Sequence, residues 1–293
     1  MFVKPAPFDY HRPDTVAEAA QMLVDFGDGA KLLAGGQSLV PMLALRLAFF
    51  ENLIDISRLD ELKGIERRGE DLWIGAGTTH ATVGADDQVR SGVPLLTRAA
   101  PLIGHFQIRS RGTLGGSIAH ADPASEFAAV ALALDAEMEA VSPAGQRLVP
   151  ATDFFRGVWE TALAPDEVLV GVRFPVWSGR CGFGVEEFAR RHGDFALAGA
   201  TLAVELDGDD RVRRAAIGLL GLGATPKRAS AAESAAADRR VGELAPEEIG
   251  ELAMTGLDDI PADLQGSADY RRRVGAAMVA QAWLAATKEA LDA

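Results

Sequence analysis

Residues 109–126 read Arg-Ser-Arg-Gly-Thr-Leu-Gly-Gly-Ser-Ile-Ala-His-Ala-Asp-Pro-Ala-Ser-Glu. Gly112, Gly115 and Gly116 fall close together, and Thr113 and Ser117 place hydroxyls beside them. Glycine lets a ligand approach the main chain, so such a loop offers bare backbone N–H groups to an anion. A second stretch, Ala34-Gly35-Gly36-Gln37-Ser38, has the same character. The two lie far apart in sequence and could grip one diphosphate from two sides.

Each loop alone has a plainer reading. Residues 34–38 lack the Gly-Lys-Ser/Thr ending of a nucleotide P-loop and the third glycine of the dinucleotide fingerprint, so a simple tight turn remains open. Asp122 is placed to cap a helix, with Pro123 at its first position. Glu126, one turn further, could accept from a ribose hydroxyl or simply sit well in the helix dipole. Among His11, His80, His105, His120 and His192 no metal-binding spacing occurs. His120 is the best site candidate of the five, as a structural donor more than a proton shuttle. Arg109 and Arg111 flank the loop and could meet phosphate, a partner chain or only solvent. Arg271 to Arg273 read as a solvated helix face, and Cys181 as an inert residue.

Composition narrows the function classes. A net charge of −13 argues against nucleic-acid binding through a basic footprint. It also means that a bound diphosphate needs local donors, which backbone N–H groups and helix N-termini supply. The single cysteine excludes an internal disulfide and a cysteine-ligated iron–sulfur cluster or zinc site on this chain. No apolar run is long enough to span a membrane, and the N-terminus shows no secretion signal, so a cytoplasmic location is expected.

The elements that must position these residues follow from periodicity and punctuation. Residues 1–13 are expected to be irregular. A helix over 15–26 starts at Asp14 or Thr15 and turns Val16, Ala19, Ala20 and Leu23 to one side. A strand over 31–34, the first glycine loop, a helix from Leu39 with Pro41 in its first turn, and a strand over 52–56 make a small βαβ-like unit. Strands over 72–76, 137–142, around Val149 and over 168–174 are interleaved with a turn or helix opening at Thr78-Thr79-His80 and helices over 94–100 and 123–134. That alternation predicts an α+β unit with a mainly antiparallel sheet. Beyond a linker at 175–184, strands over 184–190, 198–206 and 212–220 precede a helical region over 226–293. Asp207-Gly208-Asp209-Asp210 marks a hairpin. In the last helix, Tyr270, Val274, Ala277, Met278 and Leu284 form the expected apolar stripe.

The two loops, in this order and spacing, resemble those of the FAD-binding medium subunit of molybdenum hydroxylases, the group containing carbon monoxide dehydrogenase, nicotine dehydrogenase and xanthine dehydrogenase. The similarity runs over essentially the whole chain, from Lys4-Pro5 and Phe8-Asp9-Tyr10 through Ile54-Asp55-Ile56 and residues 74–80 to Gly193-Asp194-Phe195-Ala196 and Tyr270-Arg271-Arg272. Residues 108–117 and 119–123 are its most specific part.

The resemblance implies a two-part PCMH-type FAD-binding domain over 1–176, with subdomains 1–57 and 58–176. A smaller C-terminal domain over 177–293 would hold a three-stranded antiparallel sheet and helices. It implies that Leu33, Ala34, Gly35, Gly36, Gln37, Ser38 and Leu39 face Thr113, Leu114, Gly115, Gly116 and Ser117 across the FAD diphosphate. Ile103, Gly104 and Glu126 match positions near the cofactor, Leu169 would lie near the flavin ring, and His120 and Asp122 would support the site. Ser110 and Phe106 depart from the common Asn and Pro. Glu186 and Glu187 stand where some relatives carry a lysine near the flavin, which leaves the electron acceptor open. The implied partners are a large molybdopterin subunit and a small subunit with two [2Fe–2S] clusters, in a dimer of heterotrimers that passes electrons to an external acceptor. The competing readings are a free-standing flavin oxidase or reductase and a non-catalytic assembly module. The substrate is outside the reach of this chain's sequence.

Overall fold

The computed structural model describes residues 4–293. Its first elements are β1 (Asp9–His11), α1 (Val16–Phe26), β2 (Ala30–Leu33), α2 (Leu39–Ala44) and β3 (Asn52–Asp55). Thr15 caps α1 by accepting from the Glu18 N–H, and Val16, Ala19, Ala20 and Leu23 are its buried residues. That i, i+3, i+4, i+7 spacing is what a one-sided helix requires, and it matches the expected stripe residue by residue. The three strands pair in the order β1-β3-β2, all parallel. β1 falls in a segment expected to be irregular, of which residues 1–3 lie outside the described residues. Its pairing to residues 52–54 is non-local, so no short-range pattern announces it.

The second layer comprises β4 (Ile65–Arg68), β5 (Asp71–Gly75), α3 (His80–Ala85), α4 (Asp87–Gly92), α5 (Pro94–Ala99), α6 (Phe106–Arg109), α7 (Leu114–His120), α8 (Glu126–Ala133), β6 (Glu137–Ser142), β7 (Gly145–Pro150), α9 (Ala151–Phe154), β8 (Phe155–Gly157), β9 (Glu160–Thr161) and β10 (Val168–Pro175). Its sheet runs β4-β5-β10-β6-β7 with antiparallel pairing throughout. α8 is apolar all round, and every residue from Phe127 to Ala133 is buried. A helix of that kind is stable only inside a core. It packs on the third layer, and its residues share one core cluster with Phe183, Ala203 and Ala216.

The third layer comprises β11 (Arg180–Phe188), β12 (Ala198–Leu206), β13 (Val212–Leu220), β14 (Lys227–Arg228), α10 (Ser230–Ala236), α11 (Pro246–Ala253) and α12 (Ala268–Asp292). The sheet order is β11-β12-β13-β14, antiparallel, so the short β14 adds a fourth strand to the three expected. α12 lies along β11 and β12. It buries Gly275, Met278, Val279, Ala282, Trp283, Ala286 and Ala290, whereas Leu284 is 60% exposed. The expected stripe is therefore turned. Met278 keeps its expected place; in a helix so rich in alanine most faces look apolar, and the sheet decides which is covered, with Gly182 and Gly184 of β11 admitting the Ala282–Ala286 turn and Trp283 filling the core beside it.

The Arg271–Arg273 run is not a solvated face. Arg271 is buried and donates to the Leu197 carbonyl at 2.6 Å and to Asp263 at 2.8 Å. Arg272 donates to the Met254 carbonyl at 2.7 Å and to that of Leu257. Only Arg273 is exposed. The carbonyls come from loops far away in the sequence, and they need donors more than water needs two arginines.

Candidate functional site: two glycine segments in contact

The first glycine segment joins β2 to α2. Gly36 has φ +72, a left-handed conformation that glycine adopts without strain. Gly35 has no room for a side chain, because a Cβ would lie 2.1 Å from the Arg111 carbonyl oxygen and 2.8 Å from the Gly112 Cα. The two glycine segments are thus in direct backbone contact. The Gln37 amide donates to the Gly35 carbonyl at 2.9 Å and stiffens the turn. Among the described residues, no protein acceptor meets the backbone N–H of Gly35, Gly36, Gln37, Ser38 or Leu39. Successive unpaired N–H groups of this kind form an anion-binding concavity.

The second segment behaves differently. It is not a loop: α7 begins at Leu114, directly after the extended residue Thr113. Thr113 Oγ1 accepts from the Gly116 N–H at 3.0 Å, and its carbonyl accepts from the Ser117 N–H at 3.0 Å. The Leu114 N–H goes to the Thr78 carbonyl at 2.9 Å and the Gly115 N–H to that of Ala76 at 2.8 Å. Gly115 is there for contact, since a Cβ would lie 2.3 Å from the Ala76 Cβ. The N–H groups of residues 114–117 that the sequence offered to an anion are therefore consumed within the protein. What this segment presents instead is the Ser117 hydroxyl.

His80 fixes that hydroxyl, a role the sequence did not signal. Its ring is buried, with Nε2 2.9 Å from the Thr113 carbonyl and 3.1 Å from Ser117 Oγ, while Nδ1 has no partner. Burial holds its pKa down at about 4, so the ring is neutral. A carbonyl can only accept, which places the proton on Nε2 and makes Ser117 Oγ an acceptor too. The Ser117 hydroxyl proton is then free to point outward. Thr113→Ala is expected to cost about 1 kcal/mol through the lost helix cap. Urea unfolding checks this, and Thr113→Ser should restore the loss.

The remaining expected site residues distribute unevenly. Leu33 ends β2 and Ala34 lies 3.8 Å from a Cβ built on Gly116, so both border the contact. Gly104 has φ +50, and the Arg109 guanidinium donates to its carbonyl at 2.7 Å and to that of Ile103 at 3.2 Å. Arg109 is thus committed to shaping that corner, whereas Arg111 is exposed. Leu169 is buried in β10. His120 stacks on Trp159 with ring centroids 5.9 Å apart and has its pKa lowered, mainly by burial. Asp122 does not cap α8. Its carboxylate accepts from the Ala124 N–H at 2.9 Å in a local turn, and Ser125 caps the helix, so Pro123 precedes it.

Glu126 opens α8 and lies within electrostatic reach of Glu187 of β11. Gly221 N–H donates to the Pro123 carbonyl at 2.8 Å, and the sheet register runs Leu220–Gly199–Glu187 from the neighbouring residue. Burial first, then the charges of Glu187 and Asp122, push Glu126 up to about 8. Burial pushes Glu187 up to about 7, and its Oε2 has no partner. Among the described residues no group of three or more His, Cys, Asp or Glu side chains could hold a metal ion.

The chain is similar to known proteins along nearly its whole length. The description "FAD binding domain in molybdopterin dehydrogenase" matches residues 6–177, and "CO dehydrogenase flavoprotein C-terminal domain" matches residues 184–286. The 6-hydroxypseudooxynicotine dehydrogenase complex subunit alpha of Paenarthrobacter nicotinovorans is 39% identical over 99% of this chain and 100% of its own length. The carbon monoxide dehydrogenase from Hydrogenophaga pseudoflava, in a form lacking the Mo-pyranopterin moiety, superposes with a TM-score of 0.94. It is 38% identical, covering 97% of this chain and 99% of that one. Quinoline 2-oxidoreductase from Pseudomonas putida 86 superposes with a TM-score of 0.92 at 35% identity, over 98% and 99% of the two chains.

Proposed function

Because the chain belongs to the family of FAD-binding subunits of molybdopterin dehydrogenases, we propose that it takes electrons from the iron–sulfur clusters of a partner subunit and passes them through its FAD to an external acceptor. The observation that carries the assignment of the site is the row of unpaired N–H groups from Gly35 to Leu39, which fits a diphosphate. FAD supplies the redox chemistry; the chain's part is binding, orientation and electrostatic tuning. The backbone at residues 35–39 would hold the diphosphate, with the Ser117 hydroxyl donating from the opposite side. Leu33, Ala34, Ile103, Gly104 and Leu169 would border the nucleotide, and Glu126 would face its polar part. His80, Thr113, Leu114, Gly115 and Gly116 keep Ser117 in place. His120 and Asp122 would support the neighbouring turn.

The FAD-binding domain would span residues 1–176 in two parts and the C-terminal domain 177–293. The partners would be a large molybdopterin subunit and a small subunit with two [2Fe–2S] clusters, in a dimer of heterotrimers. A cytoplasmic location is in keeping with this reading; among the described residues no helix is long and apolar enough to cross a membrane. The relatives' names include carbon monoxide, 6-hydroxypseudooxynicotine and quinoline, all on one flavin fold. That supports substrate choice residing in another subunit. The test is reconstitution. The purified chain, mixed with FAD and desalted, should retain one flavin per chain by visible absorbance. A chain that retains none refutes the assignment.

A further inference from the structure

We propose that the first unit, residues 4–57, is a hinged cover that swings away to admit FAD, while residues 58–293 move as one body. This rests on the diphosphate reading above and says how the cofactor reaches its clasp. The molecule has two seams, one on each side of the second layer, and they are tied in different ways.

Directional bonds close the seam between the second and third layers. The Arg98 guanidinium of α5 donates to both carboxylate oxygens of Glu289 of α12, at 2.8 and 2.6 Å, and to the Phe183 carbonyl. Glu289 also accepts from the Phe183 N–H at 2.9 Å, so the pair occupies the open backbone edge of β11. Elsewhere along the seam Arg228 donates to the Leu132 carbonyl at 3.0 Å and to Asp135 at 2.7 Å, and Arg214 reaches Asp135 at 3.4 Å. One core cluster runs through both layers. Bidentate, charge-assisted bonds have fixed geometry, so these layers cannot turn on each other without breaking several at once.

The seam around the first unit has almost none of this. Among the described residues, one hydrogen bond crosses it beyond the turn that joins Ile56 to Leu59: the Val16 N–H donates to Glu61 at 3.1 Å. No ion pair crosses it among those residues. What remains is apolar. Val16, Ala19, Ala20 and Leu23 of α1 share a core cluster with Leu59, Leu62, Val168 and Val170. Such contact is non-directional and sets closeness more than orientation. Where Gly35 meets the Arg111–Gly112 backbone, neither segment donates to the other.

The loosely tied seam is also the one the clasp spans. The unpaired N–H row at 35–39 belongs to the first unit and the Ser117 hydroxyl to the body. A diphosphate bonded to both supplies the directional ties that the seam lacks. Opening is therefore cheapest where the ligand must enter, as expected of a binding element drawn from the least stable part of a fold.

Hydrogen exchange of the full chain, with and without FAD, tests this. Without FAD the amides of α1, β2 and β3 should exchange at least about tenfold faster than those of β12 and α12, and FAD should slow the first group. Glu61→Ala should speed both that exchange and FAD dissociation roughly 3–10-fold, as loss of one hydrogen bond does. Glu289→Gln loosens the other seam, so it should lower thermal stability and leave both rates unchanged. Equal exchange of the two groups in the FAD-free chain overturns the proposal. So does faster FAD release from Glu289→Gln with Glu61→Ala unchanged, since that makes the third layer the moving part. A chain whose first unit exchanges fast but which retains no FAD supports the hinge and refutes the cofactor reading.

Discussion

Gly35→Ala is expected to lower FAD affinity by roughly 5–150-fold, the equivalent of about 1–3 kcal/mol of overpacking. The added Cβ would lie 2.1 Å from the Arg111 carbonyl oxygen. Both atoms belong to the backbone, so no side-chain rotation relieves the overlap. Either residues 34–38 retreat, which disperses the N–H row, or residues 111–113 retreat, which moves Thr113 and with it Ser117. In both cases the two halves of the clasp separate. Gly208→Ala is the matched control, because nothing lies within 4 Å of a Cβ there and its backbone needs no left-handed conformation. That variant should be neutral in affinity and stability. Flavin fluorescence titration, alongside thermal unfolding of the FAD-free chains, measures both. A Gly35→Ala protein with wild-type affinity would remove the two-segment clasp from consideration.

The second large effect is in the pH dependence of stability. Glu126 and Glu187 have folded-state pKa values of about 8 and about 7, both above the ordinary carboxyl value of 4.5. A raised acid binds more protons in the folded state than in the unfolded one. Its contribution to stability is therefore fully present below 4.5 and is lost as pH rises through about 7 and then about 8. The wild-type chain should lose stability progressively across that window. Glu187→Gln removes one raised carboxyl and the charge it sets against Glu126. It should flatten the decline, leaving the variant more stable on the alkaline side by an amount on the order of 1–2 kcal/mol. On the acidic side the two chains should unfold alike. Equal slopes for both chains would show that these two carboxyls do not govern the pH dependence of stability.

Much of the architecture was legible because it depends on local spacing. The buried face of α1 is the expected one, and β6, β12 and β13 have the expected limits. Each is set by periodicity and by breakers at its ends, which neighbouring residues carry. The readings that failed were non-local. β1 exists through its pairing with β3. The buried face of α12 is chosen by the sheet it lies on, and Arg271 is buried because the Leu197 carbonyl and Asp263 arrive beside it. Asp122 and Ser125 are both good helix caps by type, and only the turn at Ala124 decides between them.

The glycine segments divide along the same line. Their residue types alone determined that the main chain is approachable at 34–38 and 112–117, and their pairing pointed to a diphosphate. The tertiary structure decided which of the two still has donors to give. Residues 114–117 spend their N–H groups on the Ala76 and Thr78 carbonyls and on Thr113, while the row from Gly35 to Leu39 keeps its own. A glycine's lack of a side chain is a property of the residue. Whether its N–H is free depends on which carbonyl the rest of the chain brings within reach, and no local pattern encodes that.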